Sequence, residues 1–477
     1  MKTYQDLVEV GNSEDKRIEF VKLAIEDHKG TEIFKQAVIA EEYNAHRNVT
    51  INQFRKLLYT LSGKAVPDNY SANWKMACRF FHIFVVQEVQ HLLGNGATWD
   101  TKSSKKAKAT FGKDFDSRLQ ELGKDALIGG VAFGFFNLDH LDVFKITEFV
   151  PLYDEENGAL MAGIRFWQVT SDKPLRATLY EVDGYTDYIW IKNEPSILHE
   201  KRKYVLKLRE TPADGTEIYD GENYPSFPIV PLWGNPERQS ELVGLREQID
   251  CYDLIKSGFA NDLDDASQMY WTIQNAEGMD DIDLAKFLER MKTVKAAVVD
   301  DAGAKAEAHT MEVPYNAREV LLARVKRDLY SDAMALDPAD IAAGSVTATQ
   351  IKAAFKPLNS KCDEFEYCIR DFLDSLAVVA GLDEYEVTFT RDNSLINTLE
   401  EVQVIATAAN FLDQEYIIKK LLTTLGDGDL AEDMIAKLEE KEQERMEMAM
   451  RQMAAQGSGG GQGASNPTDG SQATQAQ

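Results

Sequence analysis

The spacing of hydrophobic residues divides the chain into a helical first part, an extended middle part and a second helical part. Through about Leu93, apolar residues recur at three- and four-residue steps, as in "EIFKQAVIAEEYNAHRN". From "FKITEFVPLYDEENGALMAGIRFWQVT" to "YIWIKNEP" the period is two, which predicts an antiparallel meander of β-strands. Another extended region surrounds "RKYVLKLRE", and we interpret the proline-containing segment that ends it, "YPSFPIVPLWGNP", as a loop.

Two long amphipathic helices are predicted after this loop. The first has apolar residues at steps of three and four from Leu242 to Gln274, and it would be ~50 Å long at 1.5 Å per residue. The second lies near Asn316–Leu336. Between them, "DIDLAKFLERMKTV" predicts a short helix and "KAAVVDDAGAKAEAHTMEV" predicts a hairpin around Asp-Ala-Gly. The chain is therefore expected to run outward along one helix, form a small tip and return along the other helix.

A segment of small residues, "DPADIAAGSVTATQIKAAF", separates the second of these helices from a third. The third helix has an apolar stripe from Ile351 to Val379, and Pro357 within it is expected to kink the helix or to start a new one. The run "EYEVTFTRD" predicts a strand, and more helices follow. Residues 454–477 have little that could be buried in a core, so we expect a disordered tail there.

The amino-acid composition disfavours several kinds of protein. A chain of 477 residues is long enough for several subdomains, and its formal net charge of −27 disfavours a protein that grips nucleic acid with a basic face. The only basic run, "KSSKKAKATFGK", is more typical of an exposed loop. No apolar run of membrane-spanning length and no signal peptide is visible, so no membrane partner is expected. The four cysteines are scattered, and we interpret them as buried free thiols.

The sequence has no recognisable catalytic or cofactor-binding motif. It has no phosphate loop, no dinucleotide fingerprint and no nucleophile elbow, and we interpret His82 and His91, on an apolar helix, as structural. The acidic runs "DLDD" (262–265) and "DDID" (280–283) have the hard oxygen ligands that a divalent cation needs, but a solvated acidic helix face is the favoured interpretation. We therefore expect no cofactor, no metal ion and no enzymatic activity.

Five stretches of the chain, taken in order, resemble the portal proteins of tailed double-stranded DNA bacteriophages, in the branch typical of long-tailed phages. The resemblance covers roughly Ile33–Thr423 and rests on an ordered set of packing and turn signatures. The five stretches are "FHIFVVQEVQHLLGNGATW", "ELGKDALIGGVAFGFFNLD", "EFVPLYDEENGALMAGIRFW", "FPIVPLWGNPERQSELVGLREQIDCYDLIKSGFANDLDDASQMYW" and "SVTATQIKAAFKPLNSKCDEFEYCIRDFL".

The resemblance implies an α+β, mainly α-helical fold with regions known as wing, stem, clip and crown, assembled as a ring, typically a dodecamer. The implied regions are the wing (1–240), the first stem helix (241–275), the clip (276–315), the second stem helix (316–338), the tunnel loop (339–349), the kinked tunnel helix with a strand that returns to the wing (350–394), the crown (395–453) and the tail (454–477).

The family's function would make this ring the DNA conduit at one capsid vertex, in the virion and, during assembly, in the host cytoplasm. The genome would be packaged through it by the terminase motor and later ejected through it. Implied partners are double-stranded DNA, the terminase large subunit, head-completion or adaptor proteins, and the major capsid and scaffolding proteins. Between Glu241 and Arg290 acidic residues outnumber basic ones twelve to four, which would repel DNA from the channel wall.

The resemblance also assigns candidate site residues. The tunnel loop would place small, flexible residues at the narrowest point of the channel: Ala339, Asp340, Ile341, Ala342, Ala343, Gly344, Ser345, Val346, Thr347, Ala348 and Thr349. Candidates for brief contact with DNA phosphates are Gln350, Lys352 and Lys356, which could equally be solvated. The expected docking surface on the clip consists of Asp280, Asp281, Asp283, Lys292 and Lys295.

Two other classes of protein remain open on the residues alone. A helical scaffold or adaptor without a DNA channel would show the same amphipathic helices but would be a monomer or a small oligomer. A metal-dependent enzyme would use the Asp262–Asp265 cluster, and its turnover would be lost when those aspartates are replaced.

Overall fold

The structure is a computed structural model, and it groups the chain into two units that are considered separately. One contains Met1–Val346 and Ala353–Asp392, and the other contains Thr347–Lys352 and Asn393–Gln477. The residues that it describes are 2–59, 63–68, 71–99, 104–192, 194–210, 218–266, 270–274, 305–309, 315–341, 348–382, 385–391, 398–409, 412–425 and isolated positions between 434 and 448.

The first unit opens with helices, as the sequence predicts through about Leu93. These elements are α1 (Tyr4–Val10), α2 (Glu14–Gly30), α3 (Glu32–Asn44), α4 (Val49–Gln53), β1 (Leu57–Tyr59), β2 (Ala65–Pro67), α5 (Phe80–Leu93), β3 (Ala97–Trp99), α6 (Ser104–Phe111) and α7 (Phe115–Gly129). The short antiparallel pair of β1 and β2 was not anticipated. Residues 104–111 of the basic run form helix α6, so the loop interpretation is wrong for that part.

The predicted meander is confirmed as a five-stranded antiparallel sheet of order β10-β9-β8-β7-β6. The strands of this middle region are β4 (Val131–Asn137), β5 (His140–Lys145), β6 (Phe149–Tyr153), β7 (Leu160–Trp167), β8 (Leu175–Glu181), β9 (Gly184–Ile191), β10 (Glu194–Arg202), β11 (Val205–Glu210), β12 (Ile218–Glu222) and β13 (Ile229–Trp233). Helices α1 and α2 bury Leu7, Val21 and Ile25 against inward-facing residues of the meander such as Ile164 and Leu179. The period of two therefore marks the face that packs on these helices.

One segment that we interpreted as a loop is a strand. Residues 229–233 form β13, which pairs with β4 at the edge of a three-stranded sheet of order β13-β4-β5, so the loop interpretation is wrong there. Pro231 lies opposite Phe133 in this pair. An edge strand tolerates proline because one row of its N–H groups needs no partner strand.

The remaining elements of the chain are α8 (Arg246–Ala266), β14 (Tyr270–Gln274), β15 (Lys305–His309), α9 (Tyr315–Asp332), α10 (Pro338–Ile341), α11 (Ala348–Ala380), β16 (Val387–Phe389), α12 (Thr398–Ala408) and α13 (Gln414–Leu425). The expected strand near the end of the first unit is confirmed, since β16 pairs with β3. Helices α12 and α13 lie in the second unit and pack against each other. The predicted tail lies outside the described residues.

The first long helix is shorter than its apolar pattern suggests. Helix α8 ends at Ala266, and Tyr270–Gln274 is a strand paired antiparallel with Lys305–His309, so the prediction of one helix to Gln274 is wrong. The run Tyr-Trp-Thr-Ile is aromatic and β-branched, which favours a strand over a helix once a partner strand is present. The expected partner strand of the Asp-Ala-Gly hairpin lies outside the described residues.

Helix α11 packs closely on the core of the first unit through small residues. A Cβ atom on Gly134 would lie 2.7 Å from Cζ of Phe372, and one on Gly123 would lie 3.2 Å from Cζ of Phe365. Glycine at these two positions lets the phenylalanine rings lie directly against the backbone of β4 and α7. The helix continues through Pro357 rather than restarting there. The stripe predicted from Ile351 onward is confirmed from Phe355, since Phe365, Ile369 and Phe372 are buried.

An extended segment of residues 74–78, which we call the strap, is bonded to one face of α8. Every second backbone N–H of the strap donates to a buried polar side chain on successive turns of that helix. The three bonds are Trp74 N to Asn261 Oδ1 (2.6 Å), Met76 N to Ser257 Oγ (2.9 Å) and Cys78 N to Asp253 Oδ1 (2.9 Å). Asp253 also accepts from the amide of Asn48. The spacing of four residues matches the helix repeat, so the polar face replaces a partner strand.

Replacing Asp253 by Ala is expected to lower the free energy of unfolding by about 2–4 kcal/mol, because the Cys78 N–H and the Asn48 amide then lose a charged buried acceptor. Chemical denaturation of the purified protein would measure this. Asp328→Ala is the control, since Asp328 forms an exposed i,i+4 ion pair with Arg324, worth about 0.5 kcal/mol or less. Equal losses for the two variants would show that the strap does not fix α8.

Candidate functional site

The structure describes only the two ends of the predicted tunnel loop. Residues Ala339–Ile341 lie in α10, and Ala348 and Thr349 begin α11, so the two described ends of the segment are helical, and its role as a tunnel loop stays a prediction. Residues 342–347 lie outside the described residues. The clip residues Asp280, Asp281, Asp283, Lys292 and Lys295 also lie outside them. Gln350, Lys352 and Lys356 are exposed on the first turns of α11, and their contact with DNA stays a prediction.

Helices α8 and α9, which we call the stem pair, lie antiparallel. Arg318 near the start of α9 forms an ion pair with Asp262 near the end of α8, with 2.5 Å between Nη2 and Oδ2. At the opposite end, the Gln248 amide donates to Asp332. The end of α8 is thus paired with the start of α9, and the start of α8 with the end of α9. This antiparallel arrangement fits the prediction of an outgoing and a returning helix.

The base of the stem pair packs on α5 through aromatic rings. Phe80 meets Tyr252 of α8 edge to face at 5.0 Å, and Phe84 meets Tyr330 of α9 edge to face at 5.2 Å between ring centroids. Each such pair adds ~0.5–1.5 kcal/mol beyond the burial of its area. Helix α5 therefore contacts both members of the stem pair.

The chain leaves the stem pair at a point fixed by Gln87 of α5. The Gln87 amide donates to the carbonyl oxygen of Leu336 at 3.0 Å, and the backbone N–H of Leu336 donates to Gln87 Oε1 at 3.0 Å. Lys326 forms an ion pair with Asp337 at 3.2 Å. This two-point amide contact satisfies both backbone groups of Leu336 just before the predicted loop begins.

The chain returns along α11, which is fixed to the same helix by a buried ion triad of Glu88, Lys361 and Glu241. Lys361 Nζ lies 2.8 Å from an oxygen of Glu88 and 2.8 Å from an oxygen of Glu241. The Glu88 side chain is 2% exposed. Burial raises the pKa of Glu88 to about 7, and the two carboxylates raise the pKa of Lys361 although its burial opposes this. The lysine therefore remains charged between them.

Two further polar contacts orient α11. His91 of α5 lies 2.9 Å from Oδ1 of Asn359, and its ring stacks on Phe355 at 5.6 Å. Arg391, after β16, donates to Asp363, to Glu366 and to the carbonyl oxygen of Asn359. His91 is thus structural, as predicted, and so is His82, whose Nδ1 lies 3.0 Å from Asn44 Oδ1.

Sequence reasoning missed Gln87, Glu88, Lys361 and Glu241. A usable signal was present for one of them, because Glu88 interrupts the apolar run "FHIFVVQEVQHLLG", and a carboxylate in such a run needs a charged partner. The identity of that partner, 273 positions away in Lys361, leaves no local trace.

The acidic run at 262–265 is partly explained by an ion pair, since Asp262 pairs with Arg318. No group of metal-ligating residues occurs in the parts of the chain that the structure describes.

The cysteines agree only in part with the interpretation as buried thiols. All four are free, but Cys251 is exposed and only Cys362 is fully buried. Burial raises the pKa of the Cys78 thiol to about 11 and that of the Cys362 thiol to about 12. Both side chains are therefore un-ionised at neutral pH, which is the state of structural rather than reactive thiols.

The described parts define an α+β, mainly α-helical protein in which α5 contacts both the chain before the predicted loop and the helix after it, and the expected fold class is confirmed. The family described as "Phage portal protein, SPP1 Gp6-like" matches residues 26–448. The match covers most of the chain, so this protein belongs to the phage portal protein family.

Individual relatives agree with this assignment. The portal protein of Clostridium phage phiCD119 is 28% identical over 203 residues, which cover 41% of this chain and 45% of that protein. The portal protein of Bacillus phage SPP1 is 23% identical over 344 residues, which cover 67% of this chain and 64% of that protein. The alignments thus span between about half and two thirds of these relatives.

Two solved structures show more distant likeness. A chain in the neck of a native GTA particle, computed with C12 symmetry, aligns with a TM-score of 0.44 at 12% identity, over 72% of this chain and 89% of that chain. A chain in the neck of an empty GTA particle, computed with C6 symmetry, aligns with a TM-score of 0.38 at 12% identity, over 82% and 90%.

Lys361→Ala is expected to lower the free energy of unfolding by about 3–5 kcal/mol, because two carboxylates lose their shared cation in the interior. Lys356→Ala, an exposed lysine on the same helix, is the control and should change it by less than about 0.5 kcal/mol. A variant with Lys361→Met, Glu88→Leu and Glu241→Gln removes all the buried charges and should recover most of the loss. Chemical denaturation measures the free energy of unfolding of all three variants. Equal effects of the two alanine changes would show that the triad does not contribute to stability.

The raised pKa of Glu88 predicts a pH dependence of stability. A carboxyl group whose folded pKa is raised from 4.5 to about 7 contributes most to the free energy of unfolding below pH 4.5. It loses that contribution as the pH rises from 4.5 through 7. The free energy of unfolding of the wild type, relative to Glu88→Gln, should therefore fall by on the order of 2–3 kcal/mol between pH 4.5 and 7.5. Asp125, whose pKa burial raises to about 6, contributes to both proteins and cancels. A difference that does not change with pH would contradict the prediction.

Proposed function

We propose that this chain is the portal subunit of a tailed phage, and that copies of it form the ring at one capsid vertex through which the genome is packaged and ejected. The observation that carries the proposal is the stem pair, held at its base by α5 and connected there to the predicted tunnel loop. The role as a DNA conduit follows from membership in the phage portal protein family.

The stem pair has apolar side chains that no described residue of the subunit covers. Leu263 of α8 is 52% exposed, and Val320 and Leu321 of α9 are 71% and 46% exposed. Exposed groups of this size on two neighbouring helices are typical of surfaces buried in an assembly. A head-to-tail contact between such surfaces closes into a ring when the rotation between subunits fits, and we infer a dodecamer from the family.

Double-stranded DNA would pass through the centre of this ring. The chain carries a formal net charge of −27, so the wall repels phosphates and the residence of DNA at any one site stays short. Lys352 and Lys356 are exposed four residues apart on α11, where they would offer brief contacts. The tunnel loop, 339–349, would project toward the duplex between the stem pair and the later part of α11.

The remaining partners follow from the same assignment. The clip, 276–315, would dock the terminase large subunit and later the head-completion or adaptor proteins, and the wing would face the major capsid and scaffolding proteins. The protein would act in the host cytoplasm during assembly and remain in the virion. No described helix combines the length and apolar character that crossing a bilayer requires.

Portal proteins are structural components, and we propose that this one has no ATPase or nuclease activity of its own. The metal-enzyme alternative relies on the 262–265 aspartates, and Asp262 is already neutralised by Arg318. The scaffold alternative predicts small oligomers, so it differs from the portal proposal in a quantity that native mass spectrometry measures directly.

Ala343→Trp is expected to leave rings intact and to stop DNA packaging, because each subunit would add one indole to the narrowest part of the channel. Bulk on an ordinary surface connection would change stability by only about 0.5 kcal/mol. Rings would first be verified by native mass spectrometry and electron microscopy, and packaged DNA length would then be measured in an in vitro packaging reaction. Ala343→Ser, which keeps the side chain small, is the control and should package normally. Normal filling by Ala343→Trp rings would contradict the tunnel-loop assignment.

A further inference from the structure

A cavity of about 870 Å³, which we call the socket, opens at one end of the meander. It lies at the turn between β6 and β7 and reaches β13 and the later part of α11. Its apolar lining includes Leu160, Met161, Phe227, Trp233, Val378 and Val379. Val378 is 63% exposed. The volume and the mainly apolar lining are those of sites that bind a ligand or an inserted side chain.

Two side chains of the socket can donate hydrogen bonds to a ligand. The Tyr153 hydroxyl is buried and has no hydrogen-bond partner among the described residues. Burial raises the pKa of Tyr153, so the hydroxyl remains protonated and available as a donor. The Arg238 guanidinium lies over the Trp233 ring at 4.6 Å, and it has no ion pair with a carboxylate in the part of the chain that the structure describes. Together these two donors fit a carboxylate.

The backbone at Arg238 is held in an unusual conformation. Its φ angle is 58°, in the left-handed region that non-glycine residues rarely adopt, and its N–H donates to the Asn235 carbonyl oxygen at 3.1 Å. Such positions persist where the surrounding structure holds them, and they are concentrated at binding sites. The arginine is therefore set over Trp233 before any ligand arrives.

The turn between β7 and β8, which we call the knob, has the complementary chemistry. Val169 is 79% exposed, more than any other large hydrophobic residue in the described parts of the chain. Three residues later, the Asp172 side chain is 72% exposed and lies 3.6 Å from the neighbouring Lys173. The Gln168 amide donates to the carbonyl oxygens of Ser171 and Lys173, which stiffens the turn. The knob thus presents an apolar group and a carboxylate on a preformed turn.

The knob and the socket lie at opposite ends of the same strand. Strand β7 begins at Leu160, in the socket, and ends at Trp167, just before the knob. At about 3.3 Å per residue the two ends are ~25 Å apart, so a knob cannot reach the socket of its own subunit. Complementary surfaces at opposite ends of one element produce a head-to-tail contact, which is the kind that a closed ring repeats.

We propose that the knob of one subunit inserts into the socket of the next, with Val169 against the apolar lining and the Asp172 carboxylate accepting hydrogen bonds from Arg238 and Tyr153. The proposal rests on the ring put forward under Proposed function and adds to it the residues of a contact between neighbours. It assigns the socket to a second copy of this chain rather than to a different protein.

Charge reversal tests the contact. Arg238→Glu and Asp172→Arg should each lower the fraction of ring at a given subunit concentration, with at least about a tenfold weaker association, since each places like charges together. The double variant should recover association to within about threefold of the wild type, because the pair is restored in the opposite sense. Analytical ultracentrifugation and native mass spectrometry of the full-length chain measure these fractions. Val169→Asp, which does not alter Arg238, should weaken association by a similar amount.

The control is Asp139→Arg, a reversal on an exposed turn of the small sheet, which should assemble normally. Circular dichroism would confirm that each variant is folded. Normal rings from both single reversals, or a double variant no better than either single one, would overturn the knob-and-socket contact and leave the ring standing. A wild-type chain that stays monomeric at all concentrations would overturn the ring and this contact together.

Discussion

The structure depends on α5, because this one helix contacts both the chain that enters the segment that would face the DNA and the helix that follows it. Gln87 binds the backbone of Leu336 where the chain leaves the stem pair, and Glu88 binds Lys361 where the chain returns. The two side chains are adjacent in sequence, so the two anchor points cannot move apart without breaking buried polar contacts. Since such contacts are costly to leave unmade, Leu336 and Lys361 keep their positions against α5.

The use of charge at this point is informative, because apolar residues would have packed there at lower cost. Removing two carboxylates and an ammonium group from water costs several kcal/mol per ion, which a buried pair regains only with good geometry. A smooth apolar contact between α5 and α11 would, however, allow one helix to slide along the other. Lys361, fixed between Glu88 and Glu241, permits one register only. We infer that the triad is retained for position rather than for stability.

Much of the fold was predictable from periodicity, whereas the site was not. The meander and the buried stripe on α11 follow directly from side-chain spacing, which acts over a few residues. Tyr270–Gln274 was predicted wrongly because its strand depends on a partner at Lys305–His309. The same holds for the strap on α8 and for the contacts of Gln87 and Lys361, which join residues that are far apart in sequence. Tertiary contacts of this kind override local propensity and leave no pattern in a single chain.

The knob-and-socket proposal and the anchor on α5 meet in one rigid element. Lys361 and Val378 lie on the same helix, α11, and 17 residues at about 1.5 Å per residue place them ~25 Å apart. A neighbour seated against Val378 would therefore contact the helix whose earlier part follows the segment that would face the DNA. Because a packed helix moves as a body, subunit contact at the socket and the position of that segment would be linked through α11 itself. The ring would in this way set the geometry of its own channel.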